Sequence, residues 1–519
     1  MIATSPYADV PIPDLSLPDY VLEHAECYTD RPALIDGVSG RTMTYAELAE
    51  QVRRAAAGLA AHGFGPGDVL ALVCPNIPEY AVMFLAALRL SGIVTPVNPL
   101  FKRGELRFQL RDSRASLLVT TPTALDTALA AAEQSAVREV IVVGEAPGAT
   151  PLRALLAAGV EPPAMRIDPA ATAALPYSSG TTGLPKGVRL THRNLVANLA
   201  QLEAVEPITP DDVLIAVLPL FHIYGLTFVL NLGLRCGAAV VTMPRFDLGG
   251  FLRLIETHRV TRAPLVPPIV RALATSPLVE GADLSSLRTI ISGAAPLSAD
   301  VAEACARRLG CVVKQGYGLT ETSPVTHINP ENAVRRGTVG LPLPNTECRV
   351  VDATTGETLP PGQPGEVCVR GPQVMAGYLG QPEATADVLG ADGWLRTGDV
   401  GVLDADGYLT LVDRLKEMIK VKGYQVAPAE LEAILSAHPA VAAAAVVPSP
   451  DEEAGEVPVA YVVLEGQASA EELMAHVAEW VAPYKRLRRV EFVESIPTSA
   501  SGKVLRRALV ERERQAWGG

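Results

Sequence analysis

The stretch "LPYSSGTTGLPKGVRLTHRN", residues 175 to 194, decides how this chain is read. Residues 177 to 188 within it hold three glycines, two serines, two threonines and one lysine. Glycine lets a backbone pass close to a ligand and adopt positive φ. Ser178, Ser179, Thr181 and Thr182 add hydroxyl donors to the backbone amides around Gly180. Lys186 supplies a mobile point charge, and Pro185 limits how far the loop can collapse. That inventory suits phosphate oxygens. It is not a Walker A loop: counted from Gly180, the second glycine falls on Pro185, and Gly187 rather than a hydroxyl residue follows Lys186. A flexible surface linker has the same composition. The flanks argue against a linker, because Ala173 to Tyr177 reads as a strand end and "THRNLVANLAQLE" as a capped amphipathic helix. The expectation is a loop of donors between strand and helix, a common seat for phosphate.

Working outward, 519 residues exceed what one core supports and predict a large body with a smaller domain attached. The net charge of −13 gives no sequence-independent attraction for nucleic acid, so anionic substrates must be met by local basic residues. The seven cysteines form no C-x-x-C pair and predict reduced thiols. No basic segment followed by an apolar run opens the chain, and the apolar run "AVMFLAALRLSGIV" is interrupted by Arg89 and Gly92. The expectation is a cytoplasmic protein without a membrane span.

Strand-like runs alternate with helical ones, as in "DVLALVCP" before "EYAVMFLAALRLSG" and "RTIISGAAP" before "ADVAEACARRLG". The alternation predicts an α/β fold of layered, parallel sheets. Beyond Pro342 the texture becomes β-hairpin, with "TTGE" and "DADG" turns. After Arg414 a strand and loop feed a helix starting near Pro428, and the last hundred or so residues predict a compact α+β unit. The predicted division is 1–414, an N-terminal AMP-binding body, and 415–519, a mobile C-terminal domain.

Seven stretches then stand in order: "YSSGTTGLPKGV", "LPLFHIYGL", "QGYGLTE", "GEVCVRG", "WLRTGDVG", "VDRLKEMIKVKGYQVAPAELE" and "TSASGKVLRR". Together they resemble the adenylate-forming superfamily of acyl-CoA synthetases, luciferases and adenylation domains. "GEVCVRG", "FHIYGL" and "KGYQVAPAELE" resemble its 4-coumarate:CoA ligase branch, and the whole chain is similar to actinobacterial cinnamate:CoA ligases. The resemblance implies activation of a carboxylic acid by ATP to an acyl-AMP with release of pyrophosphate, then displacement of AMP by the thiol of coenzyme A.

The same resemblance distributes roles. Ser178, Ser179, Gly180, Thr181, Thr182 and Lys186 face the outer phosphates of ATP. In "QGYGLTE", Gln315, Gly316 and Tyr317 belong to the adenine site, Thr320 to the α-phosphate and Glu321 to Mg²⁺; alone, the stretch reads equally as a turn with a core tyrosine. Asp399 and Arg414 resemble ribose ligands. His222, otherwise an ordinary core histidine, resembles the residue beside the acyl carboxylate. Tyr224, Ile291, Ala294, Gly316, Pro324 and Val325 match the acyl pocket, with Ile291 standing where plant members often carry lysine. Lys503 resembles the lysine that reaches the reacting carboxylate, although "SGK" before "VLRRALVERER" also reads as a turn and a solvated helix. Lys420 and Gln425 resemble further catalytic positions, Lys416 the hinge, and Arg245, Lys422 and Gly423 contacts for coenzyme A.

Other functions remain open on the residues alone. One is a stand-alone adenylation enzyme that loads a carrier protein; another is a medium-chain fatty acyl-CoA synthetase. A nucleotide-binding protein without catalysis, a P-loop phosphotransferase and a luciferase-like oxygenase complete the set.

Overall fold

The computed structural model describes residues 1–157, 159–178, 185–422, 424–452, 454–499 and 503–518, and the backbone alone of Gln425. Two nine-stranded sheets form the body. In the first, Val69–Val73 lies between Ile93–Pro96 and Leu117–Thr120, all parallel. In the second, Arg262–Leu265, Thr289–Ser292 and the start of Val312–Gly318 run parallel. These strands are buried along most of their length, as strands of a parallel sheet covered on both faces are. The helix Pro78–Arg89 is buried along nearly its whole length.

A five-stranded sheet carries the two hairpins read from the sequence. Glu347–Val351 pairs antiparallel with Gly365–Arg370, and Leu395–Leu403 with Leu409–Arg414. Their turns are closed by acidic side chains: Asp352 accepts from the amides of Thr354 and Thr355, and Asp404 from those of Asp406 and Tyr408. The fourth sheet begins at Ile419–Val421, and the helix after it is Pro428–Ala437. The apolar clusters divide at the same place. Those of the body end at Leu411, and Ile419, Val446, Val462 and Val490 open a separate one. Among the described residues no helix is long and apolar enough to cross a membrane. All seven cysteines are free thiols.

Two local expectations are corrected. The loop after Ser178 does not lead into a helix: Tyr177–Ser178 pairs antiparallel with Lys186–Thr191, so the loop closes a hairpin, and the helix His192–Val205 starts only after that second strand. The five-residue alternation "GVRLT" is too short to stand out from a loop ending. The helix itself is capped as expected, by Thr191 in a capping box with Asn194, but it is not amphipathic. Its polar residues Asn198 and Gln201 are buried. Asn198 Nδ2 donates to the Val325 carbonyl at 2.8 Å and Gln201 Nε2 to that of Pro344 at 2.8 Å. Side-chain amides can satisfy backbone groups that a sheet edge leaves unpaired.

Candidate active site

A cavity opens at the carboxyl ends of Thr289–Ser292 and Val312–Gly318, where ligands sit in open α/β sheets. The second of these strands changes partner there. Up to Gln315 it runs parallel to Thr289–Ser292, and from Gly316 it pairs antiparallel with Val325–Ile328. The turn joining that antiparallel pair carries Thr320 and Glu321. It is tight: a Cβ on Gly318 would lie 1.8 Å from the Pro324 carbonyl oxygen.

The cavity wall gathers His222, Tyr224, Ile291, Ala294, Gly316, Pro324 and Val325, the whole acyl-pocket set expected from the sequence. Phe228, Leu319 and Ile328 join them. Phe228 was legible in principle, standing four residues beyond Tyr224 on the helical segment Tyr224–Asn231, which has π-helical hydrogen bonding. The Tyr224 hydroxyl is already engaged, donating to the Ile291 carbonyl at 3.1 Å. The ring of His222 accepts at Nδ1 from the Tyr224 amide at 3.3 Å, so its proton sits on Nε2. Burial, and then the Lys503 ammonium, push its pKa down to about 3, and the imidazole is neutral.

Lys503 enters this cavity from the C-terminal domain. Its amide donates to Ser499 Oγ at 3.1 Å, and its carbonyl accepts from the Ser499 amide at 2.7 Å. Arg506 ties the following helix down, with Nη1 on Glu417 at 2.6 Å and Nη2 on Glu432 at 2.6 Å. Burial, and then the Arg414 guanidinium, hold the Lys503 ammonium below its ordinary value. An anionic group in the cavity would offset that cost.

Beside the cavity a second group forms around Asp399. Its carboxylate accepts from the Tyr317 hydroxyl at 2.6 Å and pairs with Arg414 Nε at 3.2 Å, and burial raises its pKa against the pull of Arg414. Tyr317 and Thr320 line the cavity too. The Gln315 side chain points back into the body, accepting from the Leu297 amide at 3.0 Å. On the hairpin, Ser178 stands opposite Lys186. Its hydroxyl is buried with no partner among the described residues, an orphan that fits a ligand oxygen. Ser179, Gly180, Thr181 and Thr182 lie outside the described residues, as does Gly423.

Arg245, Lys416, Lys420 and Lys422 do not line the cavity either. Arg245 is exposed ahead of the helix Leu248–His258. Lys416 is exposed in the turn between the body and the C-terminal domain. Lys420 is exposed on a hairpin, in register with Gln425, its amide donating to Glu456 at 2.8 Å. Lys422, at φ +48°, closes that hairpin, and its amide donates to the Ala454 carbonyl at 2.8 Å.

The sequence as a whole matches the family described as AMP-binding enzyme over residues 21–379, and that family's C-terminal domain over 430–503. The chain belongs to the AMP-binding enzyme family. The 4-coumarate–CoA ligase of Pinus taeda is 45% identical, covering 96% of both chains, and 4-coumarate–CoA ligase 5 of Oryza sativa subsp. japonica is 46% identical, covering 96% of this chain and 95% of that one. The solved anthranilate CoA ligase in complex with anthranoyl-AMP superposes with a TM-score of 0.91 at 28% identity, over 98% of this chain and 99% of the other. A benzoate CoA ligase from Burkholderia xenovorans gives 0.87 at 28% identity, over 96% and 100%. With these full-length 4-coumarate–CoA ligase relatives, this AMP-binding enzyme is an ATP-dependent, AMP-forming acid:CoA ligase. Which acid it takes is a matter for the cavity.

Proposed function

We propose that this AMP-binding enzyme converts a cinnamate-like aryl-propenoic acid to its coenzyme A thioester through an acyl-AMP. The observation that carries the reading is the cavity's polarity. Its charged end holds Lys503 and its neutral imidazole His222, while Phe228, Ile291, Val325 and Ile328 line the rest with apolar surface. A carboxylate placed between Lys503 and Thr320 would put its aryl group on that surface. With Ile291 apolar and the Tyr224 hydroxyl already donating, a ring without polar substituents fits best.

In this reading the carboxylate oxygen attacks the α-phosphorus of ATP and pyrophosphate departs. Lys503 and Thr320 stabilise the charge that develops on the transferring group. Asp399 and Arg414 hold the ribose hydroxyls, Tyr317 offers a face to adenine, and Ser178 and Lys186 guide the outer phosphates. The thiol of coenzyme A then attacks the acyl carbon, the acyl–phosphate bond breaks and AMP leaves. Residues 1–414 and 415–519 act as two bodies with Lys416 as hinge, so that Lys420, Lys422, Gly423 and Gln425 reach the acyl centre after rotation, and Arg245 meets coenzyme A. Glu321 would hold Mg²⁺: a single half-buried carboxylate beside phosphate-binding groups suits an ion that takes one or two carboxylates together with phosphate oxygens. Bound there, the ion would neutralise phosphate charge. The cytoplasm, which supplies both ATP and coenzyme A, suits this reaction.

A panel of carboxylic acids assayed for coenzyme A-dependent release of AMP and pyrophosphate tests the reading. Cinnamates are expected to give the highest kcat/KM. A preference for medium-chain fatty acids would overturn the acid assignment, and release of ADP with orthophosphate would overturn the reaction.

A further inference from the structure

The segment "VMAGYLG", residues 374 to 380, carries none of the roles above, yet it lies across two of the parts that do. Its backbone is stitched to both. The Met375 amide donates to the Glu321 carbonyl at 2.8 Å, and the amides of Ala376 and Leu379 donate to the carbonyls of Arg189 at 3.0 Å and Gly187 at 2.8 Å. Gly377–Tyr378 thus pairs antiparallel with the strand Lys186–Thr191. The Tyr378 amide donates in turn to Thr385 Oγ1 at 2.9 Å, which fixes the strap to the helix Pro382–Ala386.

Between the two parts stands one side chain. The Tyr378 hydroxyl donates to Glu321 Oε1 at 3.0 Å, and Lys186 Nζ lies 4.9 Å from the centroid of the same ring. Glu321 and Lys186 carry opposite charges and would neutralise one another if they met. The ring gives the ammonium a cation–π seat and the hydroxyl gives the carboxylate a donor, so each is occupied without the other.

We infer that Tyr378 is a positioning residue for the nucleotide's phosphates: it orients Glu321 toward the metal and holds Lys186 apart from it until the anionic nucleotide arrives. The inference rests on the reading of Glu321 as the metal ligand. Outer partners of a ligating carboxylate typically change metal affinity by about 10- to 100-fold.

The test measures Mn²⁺ binding to the full-length protein by electron paramagnetic resonance, with ATP present and acid absent, and then the Mg²⁺ dependence of acyl-AMP formation. Tyr378→Phe, which keeps the ring and loses the donor, is expected to weaken Mn²⁺ binding by about tenfold, and added Mg²⁺ should restore most of the rate. Tyr378→Leu, which also removes the seat of Lys186, is expected to raise the half-saturating ATP concentration beyond that of Tyr378→Phe. Wild-type Mn²⁺ affinity in Tyr378→Phe, or a slowed rate that no Mg²⁺ concentration restores, overturns the inference. A native protein that binds Mn²⁺ no better than ATP does alone removes instead the assignment of Glu321 beneath it.

Discussion

Ala294 has φ +70° on the cavity wall, a left-handed conformation that an alanine adopts at a cost of roughly 1 kcal/mol and a glycine does not resist. Ala294→Gly therefore removes a methyl from the pocket and strain from the backbone together. Selectivity is expected to move toward ring-substituted cinnamates by on the order of 1 kcal/mol, read as the ratio of kcat/KM across a substituted series. An unchanged ratio would take Ala294 off the pocket wall. A second residue governs acid stability. His192 is fully buried, accepts at Nδ1 from the Leu17 amide at 3.1 Å, leaves Nε2 without a partner among the described residues, and is pushed down to about 4 by burial. Because the unfolded chain takes up the proton near pH 6.5 and the folded one does not, stability is lost as pH falls from about 6.5 to about 4. In His192→Asn the amide oxygen can take over the acceptor role without titrating. The stability gap between native protein and variant is thus expected to narrow by about 2 kcal/mol between pH 7.5 and pH 5, measured by denaturant unfolding. A gap independent of pH would contradict the neutral, buried imidazole.

At the scale of elements, the turn after Gly318 is what brings Thr320 to the cavity, with Glu321 next to it in the chain, and a Cβ on Gly318 would strike backbone, which cannot swing aside. Gly318→Ala is expected to open the turn and abolish acyl-AMP formation. Gly104, exposed in the helix Arg103–Asp112 with nothing within 4 Å of an added Cβ, makes the contrast: Gly104→Ala should raise stability by up to about 1 kcal/mol and leave the rate alone. Equal effects of the two substitutions on rate would contradict the close approach at Gly318. The same elements show what could be read in advance. Parallel strands, both hairpin turns and the helix at Pro428 follow from apolar runs and acidic turn residues, which act locally. The hairpin at Ser178 and Lys186 did not, because pairing depends on a partner strand that a short alternation does not reveal. Nor did the burial of Asn198 and Gln201, whose partners Val325 and Pro344 stand more than a hundred residues away. Tyr378 escaped for the same reason: its meaning lies in Glu321 and Lys186, distant in sequence and near in space.

At the scale of the whole molecule, two cores are held in one arrangement, and Lys503 from the second completes the wall of the cavity in the first. Besides Lys503, Arg271 bridges them, its Nη2 donating to the Val441 carbonyl at 2.7 Å and lying 3.7 Å from Glu465. That His222, Tyr224, Ile291, Ala294, Gly316, Pro324 and Val325 share one cavity was legible residue by residue, because their motifs keep their order along the chain. The mutual seating of the two bodies was not, since it depends on packing and not on any local signal. In the proposed reading, with Lys503 buried beside His222 and near Asp399, this arrangement serves acid activation and transfer to coenzyme A calls for another. The direct measurement is single-turnover kinetics of each half-reaction in Lys503→Ala. Acyl-AMP formation is expected to slow by about 10²- to 10³-fold, the loss typical of removing one preorganised charge-stabilising donor, while transfer from supplied acyl-AMP to coenzyme A proceeds at close to the native rate. Equal slowing of both steps, or none in the first, would contradict the account.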